Sequence, residues 1–287
     1  MADMIHRILD NNMKVLIIQE NGHHNKNKNF RECFCLKRGF EHYGINVDIW
    51  GKLHDNYHII PDWNSYNLIF VIEKWDWVPN LSDVQTKKYL WCIDAHCSGP
   101  DDYERFADKH SFSKVFHSTL EFTTKEYWLP NCYDDTIIKP INIDKVYDIG
   151  FCGNVANRQQ FINLLHSKFG NNFKYDRMVI GHDMVRAINS YKVHWNKNIN
   201  IDINYRNFET MGCQTCLLTS NNPNYSSLGF TSRNCMIYNN INEMIDMAQY
   251  LISNDNIRES IAIEGFDFVK NNHTYKNRAK RIIETLL

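Results

Sequence analysis

The alternation of short apolar runs with longer amphipathic segments is the feature that most constrains the fold of this chain. In the first half, strands are predicted at residues 14–19, 45–50, 67–72, 88–93 and 114–117. In the second half, they are predicted at residues 147–152, 178–180, 193–196, 216–219 and 236–238. The segments between them favour helices, and Gly44 follows the first of these as a C-terminal cap. Strands alternating with helices indicate an α/β protein with parallel sheets.

Length and composition are those of an ordinary globular protein. The chain has 287 residues, of which 43% are hydrophobic and 23% are charged, which is enough for two domains. A net charge of −1 gives no overall attraction to nucleic acid or to anionic membranes. No apolar run has the length of a membrane span, and the N-terminus lacks a signal-peptide pattern. We therefore expect a cytoplasmic protein, or one in the host cytoplasm if it is viral, since the Asn, Ile and Lys content is typical of AT-rich genomes.

Metal and disulfide chemistry are not indicated by the sequence. The nine cysteines are an odd number, and several lie within apolar runs, so we expect reduced, buried thiols. Cys213 and Cys216 have CxxC spacing, but they lead into a predicted core strand. The histidines show no spacing typical of metal ligands. We expect no metal site and no cofactor.

Residues 203–213 are the most informative stretch for function. They are predicted to form a short helix that ends at Gly212 and leads into an apolar strand. Arg206 and Glu209 lie three positions apart and therefore share a face of that helix. A guanidinium can bind phosphate oxygens and a carboxylate can accept hydrogen bonds from a ribose diol, so the pair suits a sugar nucleotide. The alternative is a plain surface ion pair beside a core strand.

Several motifs in the second half resemble one family in order along the chain. Residues 203–213 resemble the R-x-F-E-x-M/L-x-x-G segment of GT-B glycosyltransferases, especially the group-1 branch near the spore-maturation CgeB proteins. The same resemblance extends to residues 127–130 (YLP), 147–154 (YDVxFVG), 191–196 (SKIxLN) and 273–279 (HTYxxRA). It covers roughly residues 127–287, and the first half matches only loosely.

The resemblance implies two Rossmann-like domains facing each other across a cleft. Residues 1–145 would be the acceptor-side domain and residues 146–287 the nucleotide-sugar-binding domain, with the last helix packing back on the first domain. The activity implied is transfer of a sugar from a nucleotide-diphosphate sugar to a hydroxyl acceptor. Retaining members often carry a glutamate eight positions before the ribose-binding one. Ile201 stands there, so the resemblance leaves inversion and retention both open.

The resemblance and the spacing together define a candidate donor site. Glu209 would hold the ribose hydroxyls, while Arg206, Lys192 and the helix N-terminus at Tyr205 would neutralise the leaving diphosphate. These cations would replace the metal ion that other transferases use, so we expect metal-independent transfer.

Three further positions complete the predicted donor set. Gly153 and Asn154 follow a predicted strand, where a glycine lets the backbone approach a phosphate or sugar closely. His182 follows another strand, where a nucleotide base could pack, and Asn196 ends the segment that resembles SKIxLN. A tight turn without a ligand is the alternative for Gly153, and a solvated side chain is the alternative for Lys192.

The first half should supply the acceptor site and the general base. Asp94 and His96 are expected at the end of the fourth strand, on one side of it, and Trp91 to Asp94 resembles the W-x-x-D element of CgeB-like proteins. A carboxylate beside an imidazole can activate a hydroxyl. His23, on the loop after the first strand, is the other candidate. The alternative is an aspartate that caps a turn beside an exposed histidine.

Two other functions stay open at this stage. A viral enzyme that glycosylates hydroxymethylated DNA bases would use the basic cluster of Lys26, Lys28, Arg31, Lys37 and Arg38. A solvated helix face is the simpler interpretation of that cluster. A protein that binds a sugar nucleotide without catalysis is the second alternative. The expected partners are thus a nucleotide sugar and an acceptor glycan, small molecule or DNA.

Overall fold

The computed structural model of the protein describes residues 13–286. These residues form two compact units. The first contains residues 13–130 and 275–286, and the second contains residues 131–274. Each unit is built on a five-stranded parallel sheet, which confirms the predicted α/β class.

The first unit has one parallel sheet with the strand order β2-β1-β3-β4-β5. Its strands are β1 (Lys14–Ile18), β2 (Asn46–Trp50), β3 (Leu68–Ile72), β4 (Lys87–Cys92) and β5 (Lys114–His117). Its helices are α1 (Glu32–Glu41), the short α2 (Ala95–Ser98), α3 (Pro100–His110) and the last helix, α10 (Tyr275–Glu284). The strand β3 is buried at every position, as expected for the centre of a parallel sheet that is covered on both faces.

The second unit repeats this arrangement, with the strand order β10-β9-β8-β6-β7. Its strands are β6 (Tyr147–Cys152), β7 (Phe173–Asp176), β8 (Tyr191–Asn196), β9 (Cys216–Ser220) and β10 (Met236–Tyr238). Its helices are α4 (Gln159–Phe169), α5 (Gly181–Asn189), α6 (Tyr205–Gly212), α7 (Tyr225–Leu228), α8 (Ile241–Ser253) and α9 (Asp255–Asn272).

The strand order positions the ligand-binding edge of each sheet. Counted from the edge strand, both sheets have the order 2-1-3-4-5, so the chain reverses direction between the first and third strands. In sheets of this kind, ligands bind outside the carboxyl ends of the strands at that switch point. The switch point lies between β1 and β3 in the first unit and between β6 and β8 in the second.

One predicted strand was wrong. The apolar run at residues 178–180 is not a strand, because β7 lies earlier, at Phe173–Asp176. Met178 has a left-handed φ of 58° and is 64% exposed, so the run forms the loop that leads into α5. A run of three apolar residues carries too little periodicity to separate a strand from a loop.

The segment 131–145 packs within the second unit, which therefore begins before residue 146. The Nδ2 of Asn131 donates to Oδ1 of Asp202 at 3.3 Å and to the carbonyl of Ile203 at 3.1 Å. The ring of Tyr133 fills the space beside Gly212, where an added Cβ would lie 2.4 Å from the ring. Helix α6 is thereby fixed to this segment.

The last helix lies with the first unit. Gly39 of α1 approaches the backbone of Tyr275 so closely that an added Cβ would lie 2.6 Å from the Tyr275 carbonyl oxygen. The rings of Tyr275 and Trp91 meet edge to face, with 6.4 Å between their centroids. Through these contacts, α10 packs beside the sheet of the first unit.

All nine cysteines are free thiols, and only Cys97 is exposed, which agrees with the expectation of reduced, buried thiols. Within residues 13–286, we find no helix with the length and apolar character needed to cross a membrane.

Candidate active site

A cavity of about 330 Å³ lies at the switch point of the first unit. It opens where β1, β3 and β4 end, so side chains from three different loops converge there. The lining residues are Gln19, Arg31, Glu32, Glu73, Lys74, Trp75, Ile93, Asp94, Cys97, Ser98 and Tyr103. A polar cavity at this edge is where an α/β sheet places its chemistry.

The side chain of Glu73 connects the end of β3 to the end of β4 by hydrogen bonds. Its Oε1 accepts hydrogen bonds from the backbone N–H groups of Ile93 and Asp94, the second at 2.8 Å. Its Oε2 accepts from the hydroxyl of Tyr103. The residue has a left-handed φ of 69°, a conformation that is costly for a side chain other than glycine and recurs at functional sites. The fold thus holds this carboxyl group in one place.

Burial raises the pKa of the Glu73 carboxyl to about 7, with a further contribution from the charge of Asp94. The hydrogen bonds from Tyr103 and the backbone act in the opposite direction but do not cancel the effect of burial. Near neutral pH the group is therefore shared between its neutral and ionised forms. Two carboxyl groups in different environments are a common basis for acid–base chemistry.

Asp94 lines the same cavity with an exposed carboxylate. It precedes α2, yet its side chain makes no capping hydrogen bond, so the capping alternative raised by the sequence is not what the structure shows. Partial desolvation in the cavity raises the pKa of Asp94 and nearby Glu32 adds to this, while His96 and Arg31 lower it. The backbone of Asp94 is fixed by Glu73 while its carboxylate faces the cavity, which suits a proton acceptor.

The expected strand placement of Asp94 and His96 was wrong. The strand β4 ends at Cys92, and His96 lies within the short helix α2. Burial lowers the pKa of His96, although the charge of Asp94 opposes this. His96 is not among the residues that line the cavity, and neither is His23. The side chain of His23 is 73% exposed, and its Nε2 lies 2.9 Å from a carboxylate oxygen of Glu20.

In the second unit, Arg206 and Glu209 contact each other on one face of α6, as their spacing predicted. The Nη1 of Arg206 lies 2.5 Å from Oε2 of Glu209, and the two side chains are 20% and 16% exposed. Although burial lowers the pKa of Arg206, the charge of Glu209 raises it above the ordinary value. Arg206 is therefore charged, and the pair is preformed and partly accessible.

Arg158 joins the two loops at the switch point of the second sheet. Its guanidinium donates to the carbonyl of Lys197 after β8 and to the carbonyl of Asn154 after β6. Only 5% of the residue is exposed, and burial and the nearby charge of Arg206 lower its pKa. Two guanidinium groups therefore influence each other at the edge where the Gly153–Asn154 turn lies.

Asn196 and Lys192 occupy positions unlike those expected of donor ligands. Asn196 is fully buried at the end of β8, where its Nδ2 donates to Asn207 at 3.1 Å and Thr219 at 3.3 Å. Lys192 lies near the start of the same strand and forms a 2.7 Å ion pair with Asp148. Four residues of strand separate Lys192 from the carboxyl edge by about 13 Å. We leave Lys192 out of the candidate donor site.

His182 and Tyr205 stand at helix starts on the carboxyl side of the second sheet. His182 is the second residue of α5 and is exposed, and Tyr205 is the first residue of α6 and is half-buried. Together with Gly153, Asn154, Arg206 and Glu209, they follow the ends of β6, β7 and β8. In residues 13–286, no group of three His, Cys, Asp or Glu side chains is arranged to hold a metal ion.

Comparison with known proteins agrees with this geometry. Residues 146–284 match the family model of glycosyl transferase-like proteins. The fold of the chain, with two Rossmann-like units, is that of the GT-B glycosyltransferases. The match supports the group-1 branch but does not single out the CgeB-like proteins. No curated protein matches the chain by sequence.

Solved GT-B structures share the fold of this protein over nearly its whole length. Anabaena HepE in complex with UDP and glucose has a TM-score of 0.61 and 11% identity, and the alignment covers 96% of this chain and 99% of that one. An α-glucosyltransferase in complex with UDP and a 13-mer DNA has a TM-score of 0.67, 9% identity and the same coverage. The phage T4 β-glucosyltransferase has a TM-score of 0.62, 16% identity and the same coverage.

Four residues of these sites were not predicted from the sequence: Glu73, Trp75, Tyr103 and Arg158. Glu73 is the first charged residue after the apolar run that forms β3, so its position at a strand end was visible. What was not visible is that β3 pairs with both β1 and β4, which brings Glu73 to the switch point and beside Asp94.

The raised pKa of Glu73 makes the stability of the protein depend on pH. Unfolding lowers this pKa from about 7 to about 4.5, so the folded state binds the proton more tightly. The resulting stability is fully present below pH 4.5 and is lost as the pH rises through 7. Relative to Glu73→Gln, we expect the wild-type free energy of unfolding to fall by about 1–3 kcal/mol over that range.

Urea unfolding of both proteins at a series of pH values measures this difference. The exposed Glu264→Gln is the matched control, and its free energy of unfolding should change with pH as that of the wild type does. If the free energies of unfolding of Glu73→Gln and the wild type changed with pH in the same way, the pKa of Glu73 would not be raised in the folded protein.

Proposed function

We propose that this protein is a glycosyltransferase that moves a sugar from UDP-sugar to the hydroxyl group of an acceptor. The second unit would bind the donor and the first unit would bind and activate the acceptor. The observation that carries this proposal is the pair of carboxyl groups, Glu73 and Asp94, in a cavity at the switch point of the first sheet. The choice of UDP rests on the similar structures, of which Anabaena HepE was solved with UDP and with UDP-glucose.

The proposed donor site uses the charges around α6. Glu209 would accept hydrogen bonds from the ribose hydroxyls, and Arg206 would bind the diphosphate together with the N-terminal end of α6 at Tyr205. The Gly153–Asn154 turn would lie against the donor, with His182 near the base. Arg158 adds a second guanidinium and holds the loops after β6 and β8 in place.

The proposed reaction is a displacement at the anomeric carbon of the donor sugar. Asp94 takes the proton of the acceptor hydroxyl while the hydroxyl oxygen forms the new glycosidic bond. The bond between the anomeric carbon and the diphosphate oxygen breaks, and UDP leaves with the electron pair. Arg206 and Arg158 stabilise the negative charge that develops on the diphosphate. A single displacement of this kind inverts the anomeric configuration, in line with Ile201 at the position where retaining enzymes often carry an acid.

The general-base role of Asp94 predicts a selective loss of turnover. Asp94→Asn removes the proton acceptor but keeps the size of the side chain and the backbone N–H that Glu73 holds. We expect kcat to fall by about 10²- to 10⁴-fold, with UDP affinity nearly unchanged. Asp101→Asn, an exposed residue in the first turn of α3, is the matched control.

His96→Ala and His23→Ala extend this experiment to the other candidates. Each should keep most of the activity, because neither side chain lines the cavity. If Asp94→Asn kept more than a third of wild-type kcat while either histidine variant lost activity, the base would be the histidine.

The role of Glu209 can be separated from its ion pair with Arg206 by comparing two ligands. If Glu209 binds the ribose, Glu209→Ala weakens the binding of uridine and of UDP equally. The expected loss is about 1.5–3 kcal/mol, that of a charge-assisted hydrogen bond. If Glu209 only neutralises Arg206, the freed guanidinium strengthens UDP binding and leaves uridine binding unchanged. Calorimetry with both ligands measures this, with the exposed Glu264→Ala as the control.

We further propose that the transfer does not need a metal ion. The two guanidinium groups, Arg206 and Arg158, and the start of α6 can supply the positive charge that the leaving diphosphate requires. Turnover should persist in EDTA at close to the rate without chelator. Loss of turnover in EDTA and recovery with Mn²⁺ or Mg²⁺ would refute metal independence.

A DNA acceptor is the second candidate, because one similar structure contains DNA. The basic cluster gives it little support, since several of its members have partners within the first unit. Lys37 lies 3.6 Å from Glu41, Arg31 lies 3.6 Å from Glu32, and Arg38 donates to the carbonyl of Asn29. Salt-sensitive retention on a DNA column would favour this candidate. UDP binding without hydrolysis or transfer would instead indicate a non-catalytic binding protein.

A further inference from the structure

We propose that the cavity of the first unit binds a neutral sugar ring that stacks on Trp75 and presents a hydroxyl group to Asp94. This inference rests on the proposed function and names the class of its acceptor. Trp75 lies two residues after Glu73 and lines the same cavity as Asp94. A flat apolar surface and a proton acceptor therefore share one cavity.

Trp75 is held as a rigid platform. Its Nε1 donates to the carbonyl of Ile72 at 2.8 Å, which satisfies the polar edge of the ring and fixes its orientation. The ring stacks on Trp77 with centroids 5.9 Å apart and planes inclined by 29°. Trp77 in turn contacts Trp50 and Tyr57, with centroids 6.0 Å and 5.7 Å away. A half-buried ring supported in this way can bind a ligand without losing much conformational freedom.

The lining and the size of the cavity suit one sugar ring. A pyranose has an apolar face of C–H groups that packs on an aromatic ring, and hydroxyl groups around its rim that need hydrogen-bond acceptors. The cavity offers an indole for the face and the carboxyl groups of Asp94, Glu73 and Glu32 for the rim. Its volume of about 330 Å³ is at the small end of the range for ligand sites, about 300–1,000 Å³.

The charges of the cavity favour a neutral ligand over one that carries phosphate. The two cations that line it already face carboxylates, since Arg31 lies 3.6 Å from Glu32 and Lys74 lies 3.4 Å from Asp102. Asp94 adds a further negative charge beside them. A phosphate group in this cavity would meet like charges, and the repulsion would be stronger here than in water. A neutral sugar carries no such cost.

Binding of simple sugars to the intact protein tests this inference. Saturation-transfer NMR with the methyl glycosides of glucose, galactose and mannose, as a panel, should show contact with the wild type through the ring C–H groups of at least one sugar. Trp75→Ala should weaken that sugar at least about fivefold, the effect of an aromatic contact worth about 1 kcal/mol. Trp75→Phe, which keeps an aromatic face, should bind that sugar with an affinity between those of the wild type and Trp75→Ala.

Trp63→Ala is the matched control, because Trp63 is a half-buried member of the same aromatic cluster and does not line the cavity. It should bind the sugar like the wild type. Equal binding by the wild type and Trp75→Ala, or no binding of any sugar in the panel, would overturn the inference. Binding of a DNA oligonucleotide but of no sugar would overturn it in favour of the DNA acceptor.

UDP binding and slow hydrolysis of UDP-glucose, measured in the same variants, separate this inference from the proposed function. If UDP-glucose is hydrolysed but no sugar binds at Trp75, the inference alone is wrong. If the wild type neither binds UDP nor hydrolyses UDP-glucose, the proposed function is wrong, whereas the loss of sugar binding in Trp75→Ala still supports a sugar site in the cavity.

Discussion

The parallel pairing of the first strand with the third, repeated in both sheets, is the constraint on which the rest of the structure depends. Because β1 pairs with β3 and β6 pairs with β8, the loops that follow these strands leave the sheet edge in opposite directions. In the first unit that divergence makes room for the cavity beside Glu73. In the second unit, the loops after β6 and β8 diverge in the same way, and hydrogen bonds from the guanidinium of Arg158 connect them.

Glu73 shows how such an edge is made rigid enough for chemistry. Its left-handed backbone is unfavourable, and the hydrogen bonds from two backbone N–H groups and from Tyr103 offset that cost. The same bonds fix the backbone of Asp94, so the side chain of Asp94 can face the cavity without serving as a cap. Desolvation raises the pKa of both neighbouring carboxyl groups, and it brings that of Glu73 to about 7.

The two units have the same strand order but carry different charges at the ligand-binding edge of the sheet. The edge of the first sheet is lined by carboxyl groups, an aromatic ring and two cations that already face carboxylates, which suits an uncharged, hydroxyl-bearing molecule. The edge of the second carries two guanidinium groups and one carboxylate, Glu209, which suits a diphosphate attached to a ribose. This difference in charge supports the proposal that one unit binds the acceptor and the other binds the donor.

Local features of the fold were determined by the sequence alone. Nine of the ten strands, the α/β class and the shared face of Arg206 and Glu209 follow from apolar periodicity and helix spacing, which are properties of neighbouring residues. The tertiary structure decided which strand ends meet. It brought Glu73 and Trp75 to Asp94, placed Lys192 at the wrong end of β8 for a donor ligand, and buried Asn196. Strand order depends on contacts between distant parts of the chain, and no local pattern encodes those contacts.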